Sequence, residues 1–124
     1  MIRFVPVSSD KLGEPFSSDS TLCGYIGYDY DADGAQCGKC VFRLNGYTMD
    51  VCFVEALDSD AETEEGLIRS ALNYGANRGV YIAYYKAAGA LPVAKVLGFE
   101  EDGDGVLSGD IPTLLRGSCC KNKE

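Results

Sequence analysis

Residues 53–72 read FVEALDSDAETEEGLIRSAL, and residues 80–85 read VYIAYY. The first stretch opens on β-forming residues, passes through Asp and Ser, and then changes period: Leu67, Ile68, Ala71, Leu72 and Gly75 recur at helical spacing. Ser59 and Glu62 stand at capping-box spacing, and Asp60, Glu64 and Glu65 put negative charge on the first turn, where the helix dipole favours it. The spacing predicts a helix over 62–77, ended by Asn77, Arg78 and Gly79. VYIAYY is a continuous apolar run that suits a buried strand. A strand, a helix and a second strand in this order make a crossover, and crossovers join parallel strands. The strand ending near Ala56 is therefore expected to lie parallel to VYIAYY.

Upstream, residues 2–7 (IRFVPV) read as a first strand, with Pro6 best tolerated at a sheet edge. Residues 8–20 are rich in Ser, Asp, Gly and Pro and offer at most one helical turn. Three β-like runs follow at 21–30, 36–44 and 47–57, separated by Asp-Ala-Asp-Gly and Asn-Gly. Asn45-Gly46 between apolar runs is a strong hairpin signal, because both residues accept positive φ. Downstream, an Ala-rich helix is expected near 87–97 with Pro92 in its first turns. Residues 98–101 and 105–111 then read as two strands around an Asp-Gly turn. The predicted architecture is α+β: a mixed, mostly antiparallel sheet with a central helix and a short late helix. One domain is expected over 1–116, with 117–124 as a polar, frayed, cysteine-containing tail.

The 124 residues include 11 basic and 19 acidic ones, a net charge of −8. A chain that acidic repels phosphate backbones, so neither nucleic acid nor an anionic membrane is an expected partner. No apolar run approaches the roughly 20 residues needed to span a bilayer. The opening residues lack the basic start and apolar core of a signal peptide, which points to the cytoplasm and to reduced thiols. There is no histidine. Ser-His-Asp and Cys-His nucleophiles are thereby excluded, and proton transfer would fall to Glu, Asp, Tyr, Cys, Lys or ordered water.

Residues 29–40, DYDADGAQCGKC, advertise two metal motifs at once. A calcium loop needs flanking helices and a bidentate acid at its twelfth position, where this chain has Cys40. Asp31 to Gly34 therefore reads as a hairpin turn. Cys37 and Cys40 are expected on opposite faces of a strand, since side chains alternate there. Cys23 and Cys52 sit in apolar strand contexts and are expected to be protected. Cys119 and Cys120 are the remaining candidates for a soft metal or a redox role, with the most accessible thiols; Cys37 and Cys40 are expected to be intermediate. The Asp102-Gly103-Asp104-Gly105 run reads as another turn.

The order of elements resembles the GCN5-related N-acetyltransferase (GNAT) superfamily. IRFVPVSSDKL is similar to its first strand, CGKCVFRLNG to its third, FVEALDSDAETEEGLIRSAL to its fourth strand, phosphate loop and main helix, and AAGALPVAKVLGFEE to its late helix with the Leu97-Gly98-Phe99 ending. The resemblance implies acetyl-CoA as cofactor. Its pantetheine would run along Phe53, Val54 and Glu55, its pyrophosphate would meet Glu62, Thr63 and Glu64, and Glu55 would be the base or water-orienting acid. The family's Q/R-x-x-G-x-G/A loop falls on Ser59 to Glu64, so both glycine positions carry glutamate. The late-helix Asn and Tyr of the family fall on Ala87 and Ala94, and its first two helices have no room between Leu12 and Thr21. The expectation is a reduced, degenerate member with weak or lost acetyltransferase activity. The alternatives are a non-catalytic interaction or regulatory domain, as a homodimer or with a protein partner, and a thiol or soft-metal protein using the tail cysteines.

Overall fold

The structure is a computed structural model that describes the backbone of residues 1–122 and the side chains of residues 1–116. Seven strands form one sheet: β1 (Ile2–Ser8), β2 (Leu22–Asp29), β3 (Ala35–Asn45), β4 (Thr48–Ala56), β5 (Ile82–Tyr85), β6 (Glu100–Glu101) and β7 (Leu107–Asp110). Their spatial order is β1-β2-β3-β4-β5-β7-β6. Every neighbouring pair is antiparallel except β4 and β5, which run parallel as the crossover requires. Pro6 lies on the edge strand β1, where its missing N–H costs no ladder bond.

Helix α1 (Ala61–Ala76) makes the crossover, and its buried stripe includes the five residues whose spacing predicted it. It packs with α2 (Leu91–Leu97) and α3 (Ile111–Asn122) over one sheet face, around Phe42, Met49, Val51, Leu67, Leu72, Leu97 and Phe99. The opposite face carries a smaller cluster, Leu12, Leu22 and Val41, with Val7, Phe16, Cys52 and Phe53 against it. Two short 3-10 turns, Ser9–Lys11 and Phe16–Ser18, lie on that face. Lys39 fastens them: its Nζ donates to the Leu12 carbonyl at 2.7 Å and lies 5.4 and 5.5 Å from the ring centres of Phe16 and Phe53.

Four sequence expectations need correction. The β3–β4 turn has Gly46 at φ +64° as its one positive-φ residue, the pattern of a turn that needs glycine at its first central position; Asn45 stays in β3. The late helix begins only at Leu91, because Ala90 is left-handed, so Lys86 to Ala90 form a loop. The strand expected over 105–111 ends at Asp110, and α3 begins at Ile111, because the buried Ile111 and Leu114 start a new helical stripe after β7. Finally, among the described cysteines Cys37 and Cys40 are buried, while Cys23 and Cys52 are partly exposed.

Bulges explain the cysteines. Between β2 and β3 the register shifts so that Cys37 has no partner, and its sulfur approaches Gly27 beside Phe4, a residue packed on the helical side. Cys40 belongs to the main core on that same side. Between β3 and β4 the register passes from Phe53 to Val51, leaving Cys52 as the extra residue. Cys52 and Phe53, consecutive in sequence, therefore pack on the same face.

Candidate functional site

The bulge at Cys52 also sets the site. β4 and β5 pair from Thr48–Ile82 to Val51–Tyr85, and the amide of Lys86 still donates to the Val51 carbonyl at 2.8 Å. Beyond that point the bulged strand bends away, and residues 53–56 lose their parallel neighbour. A cleft of about 290 Å³ opens there, lined by Phe53, Val54, Glu55, Ala56, Ser59 and Glu64 on one side and Ala88, Gly89 and Ala90 on the other. Gly89 is required by close approach, because a Cβ there would stand 2.8 Å from the Val54 carbonyl oxygen. The Tyr85 hydroxyl donates to the Gly89 carbonyl at 2.7 Å and fixes the loop. Burial, with Cys40 and Glu64 nearby, pushes the Tyr85 phenol well above its usual range.

Strain gathers around this cleft. Asp58, Ser59 and Ala90 are non-glycine residues with φ of 57°, 53° and 58°. Left-handed backbone at such residues costs energy and concentrates at functional sites. Two of the three, Ser59 and Ala90, line the cleft.

The floor of the cleft is the first turn of α1. Its cap is Asp60, one residue later than the capping box on Ser59 predicted, because Ser59 is left-handed. One Asp60 carboxylate oxygen accepts from the Thr63 amide at 3.0 Å and from the Thr63 hydroxyl at 2.6 Å, which holds Asp60 below the usual carboxylate range. Glu64 is 8 % exposed. Among the described residues no hydrogen bond or ion pair meets its carboxylate. Burial, then the charge of Asp60, raises its pKa.

The residues singled out in the sequence thus divide. Phe53, Val54, Glu55 and Glu64 come together around the cleft. Val54 is buried on the helical side, whereas Phe53 packs against Phe16 on the opposite face, with ring centres 5.1 Å apart and planes tilted by 52°. Glu55 is exposed and sits opposite Lys39 in the ladder. Thr63 is buried behind Asp60. Glu62 turns away to a separate depression with Phe4, Asp29 and Asp31. Asp31 pairs there with the Met1 ammonium, and the 29–34 stretch is a turn capped by Asp29. Among the described residues no group of three potential metal ligands assembles. The side chains of Cys119 and Cys120 lie outside the described ones. The sequence places Tyr85 in the strand expected over 80–85, and Ala88, Gly89 and Ala90 inside the helix expected near 87–97, so none of the four reads there as a residue of the site. The signal was present: Gly89 followed by Leu91-Pro92 marks a helix start.

A parallel crossover whose strands part beyond a bulge, with a helix N-terminus under the gap, defines the class of acyl-CoA N-acyltransferase folds. Comparison with solved structures makes this specific. An acetyltransferase assigned to the GNAT family from Desulfovibrio desulfuricans superposes with a TM-score of 0.68 at 9% identity, covering 90% of this chain and 99% of that one. The spermidine/spermine N-acetyltransferase SpeG from Vibrio cholerae gives 0.67 at 13% identity, covering 94% and 98%. A mutant of the toxin AtaT, bound to the C-terminus of the antitoxin AtaR, gives 0.67 at 14% identity, covering 94% and 96%. No family profile and no curated protein sequence matches the chain. The chain has the GNAT fold, at sequence identities that mark strong divergence.

Proposed function

We propose that this chain is a GNAT-fold domain in which acetyl-CoA-dependent acetyl transfer is weak or lost. The observation that carries the reading is the Glu64 carboxylate, buried in the cleft on the first turn of α1. A helix N-terminus holds pyrophosphate through bare amides and a positive dipole end. Here the Thr63 amide is taken by Asp60, and a second carboxylate faces the space that the phosphates would need. The residues therefore do not fit the group. Three further features agree: Gly89 lies against Val54, where the resemblance puts pantetheine, and Ala87 and Ala94, at the family's Asn and Tyr positions, are buried without a polar group. The reading takes residues 1–116 as one domain and the cytoplasm as its compartment; among the described residues no helix is long and apolar enough to cross a membrane.

A second reading is an interaction domain with a protein partner. Leu57, 65 % exposed just beyond β4, favours it, as does the structurally similar toxin that binds its antitoxin.

Calorimetric titration with acetyl-CoA tests the first reading. The expected result is weak or undetectable binding, and micromolar affinity would overturn it. Glu64→Gly is expected to strengthen binding, whereas Glu62→Gly changes it little, because Glu62 points away from the cleft.

A further inference from the structure

We propose that the cleft between β4 and the 86–90 loop binds a small molecule bearing a guanidinium group, with the Glu64 carboxylate as its counter-charge. The proposal rests on the reading that the cleft is not kept for acetyl-CoA, and it names what the same site takes instead.

Glu64 lines the cleft and is more than nine-tenths buried, yet no described cation or donor answers its charge. Every fully buried side-chain oxygen or nitrogen among the described residues has a hydrogen-bond partner. The Glu64 oxygens are therefore not sealed in, and the access they keep is through the cleft. Among the lining residues there is no Lys or Arg, while Val54, Ala56, Ala88 and Ala90 supply apolar walls. A carboxylate so placed is costly to ionise alone and is stabilised by a cation that enters.

The chemistry of the walls selects the cation. An anion would meet Glu64, with Glu55 at the rim and Asp60 beside it. A divalent metal needs several oxygen ligands, and no such group assembles among the described residues. An ammonium is a compact, strongly hydrated charge that would lose its water against alanines and valine. A guanidinium is more weakly hydrated, planar, and makes two parallel hydrogen bonds to one carboxylate. The volume, about 290 Å³, falls at the low end of small-molecule sites, roughly 300–1,000 Å³, and suits a short alkyl chain behind the charged head.

Propylguanidinium and its uncharged counterpart propylurea form the test, titrated into the whole chain by NMR and calorimetry. Propylguanidinium is expected to saturate, with amide shifts confined to Glu55, Ser59, Glu64 and Gly89. Propylurea is expected to bind more weakly by about tenfold or more, the size of a lost charge-assisted contact. Glu64→Gln should lose the same factor while Glu100→Gln, on β6, leaves binding unchanged. Affinity should rise with pH and then level off in the wild type only, because the guanidinium does not titrate and Glu64 does. Thermal unfolding of Glu64→Gln verifies its fold, and the propylurea arm needs no variant. Equal binding of the two probes, binding retained by Glu64→Gln, or shifts outside the cleft would overturn the proposal. If neither propylguanidinium nor acetyl-CoA binds, this inference alone fails. If acetyl-CoA binds at micromolar affinity through the same residues, the reading beneath it fails as well.

Discussion

At the scale of one residue, Glu64 weighs against folding at neutral pH. Its pKa in the fold lies above the usual 4.5, through burial first and Asp60 second. A carboxyl whose pKa rises on folding stabilises the fold below its unfolded pKa, and that contribution is lost as pH climbs through the folded value. Glu64→Gln is therefore expected to raise the urea midpoint at about pH 7, and the gain should vanish below about pH 4. An equal gain at both pH values, or a loss at the higher one, would show that the carboxylate is satisfied in the fold. In the sequence Glu64 reads as negative charge on a first turn, favoured by the helix dipole, yet its burial is legible there too. Thr63 stands four residues before Leu67, and Glu64 stands four before Ile68, so both continue the apolar stripe of α1. Both are buried. The capping-box reading drew attention to charge and away from that period.

At the scale of elements, α1 meets β1 through a glycine. A Cβ on Gly66 would overlap the ring of Phe4 at Cζ and Cε2. Alanine is the better helix former by about 1 kcal/mol, but overpacking costs about 1–3 kcal/mol, so Gly66→Ala should destabilise by up to about 2 kcal/mol. In a Phe4→Leu background the same substitution should be neutral or stabilising, and a double-mutant cycle by urea unfolding reads the coupling. Additive effects would mean that the ring and the helix do not press on each other. The period of α1 was readable because the helix keeps one period over its length. The bulges at Cys37 and Cys52 were not, since one inserted residue leaves composition unchanged while exchanging faces. The cleft depends on the second bulge, so its two walls could not be paired from alternation alone. The α2 start was misplaced for a different reason: Ala87 and Ala88 are strong helix formers, and the tertiary contact of Gly89 with Val54 overrides them.

At the scale of the molecule, the sheet is two sets of strands joined along a short seam. The β4–β5 ladder is confined to Thr48–Val51 against Ile82–Tyr85, and beyond it the strands part. On one side stand β1 to β4 in long antiparallel ladders; on the other, β5, β7 and β6 are short. Short ladders beside an open gap define a region of lower local stability. Native-state hydrogen exchange is expected to show Ala83, Tyr84 and Ser108 exchanging through a partial opening, at a free energy below that of Val41, Phe42 and Val51. One common free energy for all of them would make the sheet a single cooperative unit. The seam gives the cleft a mechanical meaning. Its walls belong to opposite sets of strands, β4 on one side and the loop after β5 on the other, so any occupant staples the crease. Slowed exchange across β5 and β7 would then report occupancy from outside the cleft, without observing the ligand at all.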